Sequence, residues 1–195
     1  MTALPSGWLI VYAGLVLSQA GHLAEHVVQM VQIHGLGVAA PEARGVVGTL
    51  DLEWVHFLWN VGILGLLGLL LLRVPRNPWS WLAFGVAAWH SAEHTVILAR
   101  YLSTGVAGDP GLLGAGGIAL GGLPIARPDL HFLYNLVEAT LLAAGFTGAS
   151  HSSAASAASS TVQREPAARR RSTSSAPRTP TSRPRSPWRR IASSP

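Results

Sequence analysis

From Phe57 to Leu72 the chain carries one strongly polar residue, Asn60. A run this apolar leaves few folds open. A helix needs about 20 mostly apolar residues to cross a bilayer, and in lipid every backbone polar group must be bonded internally. The whole segment, roughly 52–72, meets that length, and so do segments at roughly 8–33, 79–101 and 129–149 that carry more polar groups. A soluble bundle would require a charged outer face on each helix, and none of these segments has one. The expected fold is therefore an all-α integral membrane four-helix bundle, with residues 1–149 forming the bundle and 150–195 a disordered tail. Trp8, Trp54, Trp79 and Trp81 fall near span ends, as an interfacial aromatic belt would require. Gly62, Gly65 and Gly68 read as sites of close helix packing. Ser18-Gln19-Ala20 imitates a signal cleavage site, but Met1 to Trp8 has no positive charge and helical character runs on through Val31, so the first segment is expected to stay.

Charge is partitioned along the chain. Nine of the 14 basic residues, all of them Arg, lie beyond residue 150, with Glu165 the only acid there. That tail has too little apolar content to fold and is read as a solvated extension whose arginines can meet anionic lipids. With no folded module around its charge, it gives no support for nucleic-acid binding. Arg73 and Arg76 occupy the turn between the second and third segments, on the side where the tail would emerge. The positive-inside rule then places both termini in the cytoplasm of a cell with an inner membrane.

The polar residues repeat. Gly21-His-Leu-Ala-Glu-His-Val27 answers Trp89-His-Ser-Ala-Glu-His-Thr95, and His56-Phe-Leu-Trp-Asn60 answers His131-Phe-Leu-Tyr-Asn135, in the same order. The halves, about 8–72 and 79–149, read as a duplicated two-helix hairpin whose copies relate by an axis along the membrane normal. Positions i, i+3 and i+4 share a helix face. His22, Glu25 and His26 therefore line one stripe, extended by Gln19 and Gln29, and His90, Glu93 and His94 line another. Glu53, His56 and Asn60 face inward from the second helix, and His131, Asn135 and Glu138 from the fourth. At 1.5 Å rise per residue, six histidines reach similar depth in the outer half.

Ionisable groups inside a span are costly and mark function by default. Six histidines in two matching sets point to metal. Imidazole suits Zn, Cu, Fe or Ni, and the chain has no cysteine to supply a thiolate. Two histidines at i and i+4 with a third from the next helix give three nitrogen ligands and an open position. The expected ligands are His22, His26 and His56 in one half and His90, His94 and His131 in the other, as two sites or one dinuclear centre. Glu25 and Glu93 are expected to bridge the ions or transfer protons in catalysis. Asn60, Asn135 and Glu138 are expected to orient the imidazoles. Such a centre would do redox or hydrolytic chemistry on a small or lipid-like substrate, in a monomer or a homo-oligomer. The alternatives are b-type haem held by His56 and His131, or a proton or metal-ion transporter subunit. His-x-x-Glu-His also matches the inverzincin protease pattern, but a five-residue match that occurs twice in this setting assigns no family. His34 is expected to face solvent, and the glycine-rich stretch 103–128 to form a lid, a re-entrant segment or a surface loop.

Overall fold

A computed structural model describes residues 4–48 and 52–173, with residues 157 and 160–173 described as backbone alone. The chain divides into two units at residue 157. The first unit holds α1 (Ser6–Met30), which continues into a wider π-type turn, Val31–Gly35, then α2 (Glu53–Leu71), α3 (Pro78–Thr104) and the part of α4 (Arg127–Thr173) up to Ala157. Three of the four, over Ser6–Gly35, Glu53–Leu71 and Arg127–Ser156, are long and apolar enough to cross a membrane. The remaining helix, α3, is long enough but carries Ser91 and the buried His90, Glu93 and His94, which lower its mean hydropathy.

The helices form a ring in which each meets the next. His22 on α1 stacks on Trp59 of α2, and His56 on α2 stacks on His94 of α3. Trp89 on α3 donates to the Tyr134 hydroxyl of α4 at 3.1 Å. Gln19 on α1 closes the circle by donating to Asn135 Oδ1 of α4 at 2.8 Å. One end of the bundle is apolar, built on Tyr12, Leu15, Leu67, Leu70 and Leu142. The opposite end is where the histidines lie.

Local chemistry explains the helix boundaries. Asn77 caps α3 by accepting from the amides of Trp79 and Ser80, with Pro78 supplying a pre-set φ at the first helical position. Its Nδ2 also donates to the Gly145 carbonyl of α4 at 2.7 Å. Gly105 ends α3 in the left-handed region at φ 72°. The fourth helix continues past residue 149, where the sequence reading ended the fold. The Ser- and Ala-rich segment holds helical backbone to Thr173, and Ser153 Oγ accepts from the amide of Leu4 at 2.9 Å. Ala is the best helix former, and Ser at these positions bonds back to the preceding turn, as Ser152 does to the Gly148 carbonyl. The expectation of disorder for 174–195 lies outside the described residues.

The polarity of the bundle is inverted relative to a water-soluble one. Gln19, His90, Glu93, Asn135 and Glu138 are fully buried, while Ile10, Leu17, Leu58, Leu66 and Trp81 are exposed. Leu17, for example, keeps 72 % of its surface free, whereas Glu138 keeps none. Water would reward the opposite arrangement.

Candidate metal centre

The histidines meet in two groups. In the first, His22, His26 and His56 each offer a ring nitrogen, and the three nitrogens lie within 4.8 Å of one another; His90, His94 and His131 do the same in the second. All six side chains are buried. Helical spacing explains half of this. One turn brings the His22 and His26 rings to 4.8 Å between centroids, and the His90 and His94 rings to 4.9 Å. The third member comes from the following helix, His56 at 5.2 Å from His22 and His131 at 4.8 Å from His94. The groups touch each other through His56 and His94, whose rings stack at 5.4 Å with 5° between planes. The six histidines expected as ligands are thus brought together in two groups that could hold a metal ion. The expectation that His34 faces solvent also holds: its side chain is 60 % exposed, and Nε2 meets Asp129 at 2.6 Å.

Hydrogen bonding selects which nitrogen is free. His26 Nδ1 lies 2.9 Å from Gln29 Oε1, whose amide is oriented by its own donation to the Ala43 carbonyl. His131 Nδ1 lies 2.9 Å from the Arg127 carbonyl. Both partners only accept, so both Nδ1 atoms carry the proton and both Nε2 atoms present lone pairs. Those Nε2 atoms are buried and have no hydrogen-bonding partner among the described residues; the same holds for His22 Nε2, His56 Nδ1 and His94 Nδ1. An orphaned buried polar atom is costly unless something else satisfies it. The Nε2 atoms of His90 and His94 approach to 3.2 Å. That is close to the ~3.3 Å between two ligands on bonds of about 2.0 Å at tetrahedral angles.

The carboxylates are placed differently from the histidines. Glu25 Oε2 accepts from the amides of Val46 and Val47 at 2.7 and 3.2 Å. Glu93 Oε1 accepts from Leu112 and Leu113 at 2.9 and 3.2 Å. Each thus ties the loop of its own half to the helix bearing two histidines. In both cases the residue before the amide pair is a glycine at φ 70°, Gly45 and Gly111, and a Cβ there would collide with the carboxylate. This shared anchor extends the likeness between the halves to Gly45-Val-Val-Gly48 and Gly111-Leu-Leu-Gly114, a match visible in the sequence but passed over because neither stretch is charged. Neither glutamate belongs to the sets of side chains positioned to hold an ion.

The expectation for the asparagines needs correcting. Asn60 and Asn135 donate to the backbone carbonyls of His56 and His131, one turn back, at 2.8 and 2.9 Å, and touch no imidazole nitrogen. One turn of helix brings an asparagine amide to the i−4 carbonyl before it reaches the ring. Glu138 does reach a ring, with Oε2 at 3.4 Å from His90 Nδ1. Sequence reasoning missed two further groups. Trp59 lies 5.3 Å from His22, nearly parallel to it. Arg127 clamps Glu53 with two bonds of 2.7 and 2.6 Å, and Gly108 N adds a third at 3.2 Å.

A cavity of about 390 Å³ opens beside these residues, lined by His26, His56, His94 and His131 and walled in part by Arg127 and Tyr101. Both histidine groups border it. The 103–128 stretch, expected as a lid or surface loop, brings Ala107 and Gly108 to its rim.

No family model, curated protein or solved structure matches this chain. The functional reading rests on the site alone.

Proposed function

We propose that this chain is a membrane-embedded metalloprotein that holds two transition-metal ions, one in each histidine triad, beside a shared substrate cavity. The observation that carries the reading is the pair of tautomers at His26 and His131. In each, an acceptor-only partner takes the Nδ1 proton and leaves a buried Nε2 lone pair aimed into a cluster of other imidazoles. Hydrogen-bonding of the outer nitrogen to a carbonyl or amide oxygen is the usual support of a metal-ligating histidine. Three nitrogens leave each ion with a free position. Because both triads border one cavity, the free positions are assigned to that cavity. A bound ion there supplies Lewis acidity or one-electron chemistry, with Fe, Cu or Zn the ions the donor set suits. The residues themselves hold the ions, and the apolar helices keep water from the flanks. The substrate is assigned to the small or lipid-like class, since the cavity is modest and Trp54, Leu52 and Pro41 contribute apolar wall.

The inverted polarity supports insertion in a bilayer, with the Arg73–Arg76 turn toward the cytoplasm and the histidines in the opposite half. Haem is the weaker reading. Neighbouring rings among the six meet at centroid distances of 4.8 to 5.7 Å, a packing that favours small ions shared between imidazoles over a porphyrin inserted between them.

The deciding experiment is elemental analysis with an absorption spectrum of the detergent-purified full chain. Two equivalents of Fe, Cu or Zn without a Soret band are expected. A Soret band would replace this reading with haem, and protein that takes up no metal after reconstitution would end it.

A further inference from the structure

The two triads are built on the same frame but supported by different partners. His90 Nδ1 faces Glu138 Oε2 at 3.4 Å, and both side chains are fully buried. Glu138 Oε1 has no hydrogen-bonding partner, and no Arg lies in ion-pair contact with this carboxylate among the described residues. In the other half the position matching Glu138 is Ile63, which stands after His56 as Glu138 stands after His131. His26 is supported instead by the neutral amide of Gln29, and the position matching Gln29 in the second half is Ile97. Ile63 and Ile97 are both buried. One triad therefore has an acidic supporting partner and the other a neutral one.

We infer that the two metal sites are unequal, and that Glu138 makes His90, His94 and His131 the tighter site, filled first by a divalent cation. This rests on the metal-binding reading above and adds which site takes the ion preferentially. The physical grounds are two. A buried carboxylate without a cation is costly to keep in an apolar surrounding, so a cation held one imidazole away stabilises it, and it stabilises the cation in turn. A carboxylate accepting from Nδ1–H also makes the far nitrogen, Nε2, a stronger donor, and His90 Nε2 is the atom that meets His94 Nε2 at 3.2 Å. In the first triad the direct imidazole partner is the neutral Gln29 amide, and the nearby Glu25 carboxylate is held by the Val46 and Val47 amides, so its ion keeps more of its positive charge for whatever enters the cavity. The acidic support thus divides the labour: a tightly held ion in the second triad, and a more exchangeable, more electrophilic one in the first.

The test is titration of the chelator-stripped, detergent-purified full chain with cobalt(II), read by the visible absorption of the bound ion. His22→Ala disables the first triad and touches no ring of the second; His131→Ala disables the second. The His22→Ala protein is expected to bind one cobalt about 10-fold or more tightly than the His131→Ala protein does. Adding Glu138→Gln to His22→Ala should weaken binding about 10- to 100-fold, while adding it to His131→Ala should change nothing. Equal affinities in the two single variants would overturn the inference without any change at position 138, so misfolding of the glutamine variant cannot shelter it. Equal weakening of both triads by Glu138→Gln would also overturn it, showing a general packing effect. Failure of every protein, wild type included, to bind cobalt would instead end the metal reading itself.

Discussion

At the scale of single residues, the site is governed by which nitrogen of each imidazole is already committed. His131 spends Nδ1 on the carbonyl of its own helix and His26 spends Nδ1 on Gln29, so each presents one atom and one only. Replacing either by Ala should remove one equivalent of metal, measured by elemental analysis, and leave the other triad loaded; loss of both equivalents would mean a single shared centre. Trp59 offers an optical report on the first triad, since it lies 5.3 Å from His22. Copper(II) should quench the intrinsic fluorescence, and the fall should be smaller in Trp59→Phe. An equal fall in that variant would place the ion elsewhere. The six histidines were readable in the sequence because i, i+4 spacing sets a face regardless of tertiary structure, and short connections make successive helices neighbours. The partners of those histidines were less readable. That Gln29 meets His26 follows from helical spacing, but the stacking of Trp59 depends on how two helices rotate against each other, which no spacing within one helix records.

At the scale of elements, two positions tie the helices to their surroundings. Asn77 caps α3 and bonds the Gly145 carbonyl of α4. Asn77→Ala should cost about 1 kcal/mol for the lost cap and about 0.5–1.5 kcal/mol more for the lost hydrogen bond to the helical Gly145 carbonyl, seen as earlier thermal unfolding in detergent. Gly111 stands at φ 70° against Glu93, and Gly111→Ala should cost about 1–2 kcal/mol in backbone strain before the clash is counted. Gly65, expected from the sequence to allow close helix packing, instead lies within α2 with open space around its Cβ position. Gly65→Ala should instead be neutral or stabilising by about 0.5–1 kcal/mol, so the two glycines separate cleanly by the same assay. Helix positions were legible from hydropathy to within a few residues, α2 at 53–71 against an expected 52–72. The end of α4 was not, because Ser and Ala in a low-hydropathy stretch read as a tail until Leu4 is seen bonded to Ser153. The carboxylate anchors of Glu25 and Glu93 were hidden for a related reason: their partners are main-chain amides, which carry no residue-type signature.

At the scale of the whole molecule, the absence of cysteine makes topology directly measurable. Pro75→Cys in the α2–α3 turn and Ala107→Cys at the cavity rim can each serve as a lone thiol for an impermeant maleimide. In intact spheroplasts, the thiol at 107 should label and the thiol at 75 should stay protected until the membrane is broken. The reverse pattern would invert the bundle, and labelling of both would exclude insertion across the membrane. The arginines of the 73–76 turn set the direction of this prediction, and the inverted polarity behind insertion could be anticipated from the sequence in outline, since polar residues recur on single helical faces. Closure of the ring by Gln19 and Asn135 could not, because those residues lie far apart in the chain. One feature of the ring has a mechanical result. Glu25 sits beside His26 and Glu93 beside His94, and each glutamate grips the loop that follows its helix. Each loop is thereby tethered to the helical turn that carries a histidine of its own half, like a handle fixed to a jaw. Displacing either loop would pull on that turn, so the loops and the two histidine groups are mechanically linked.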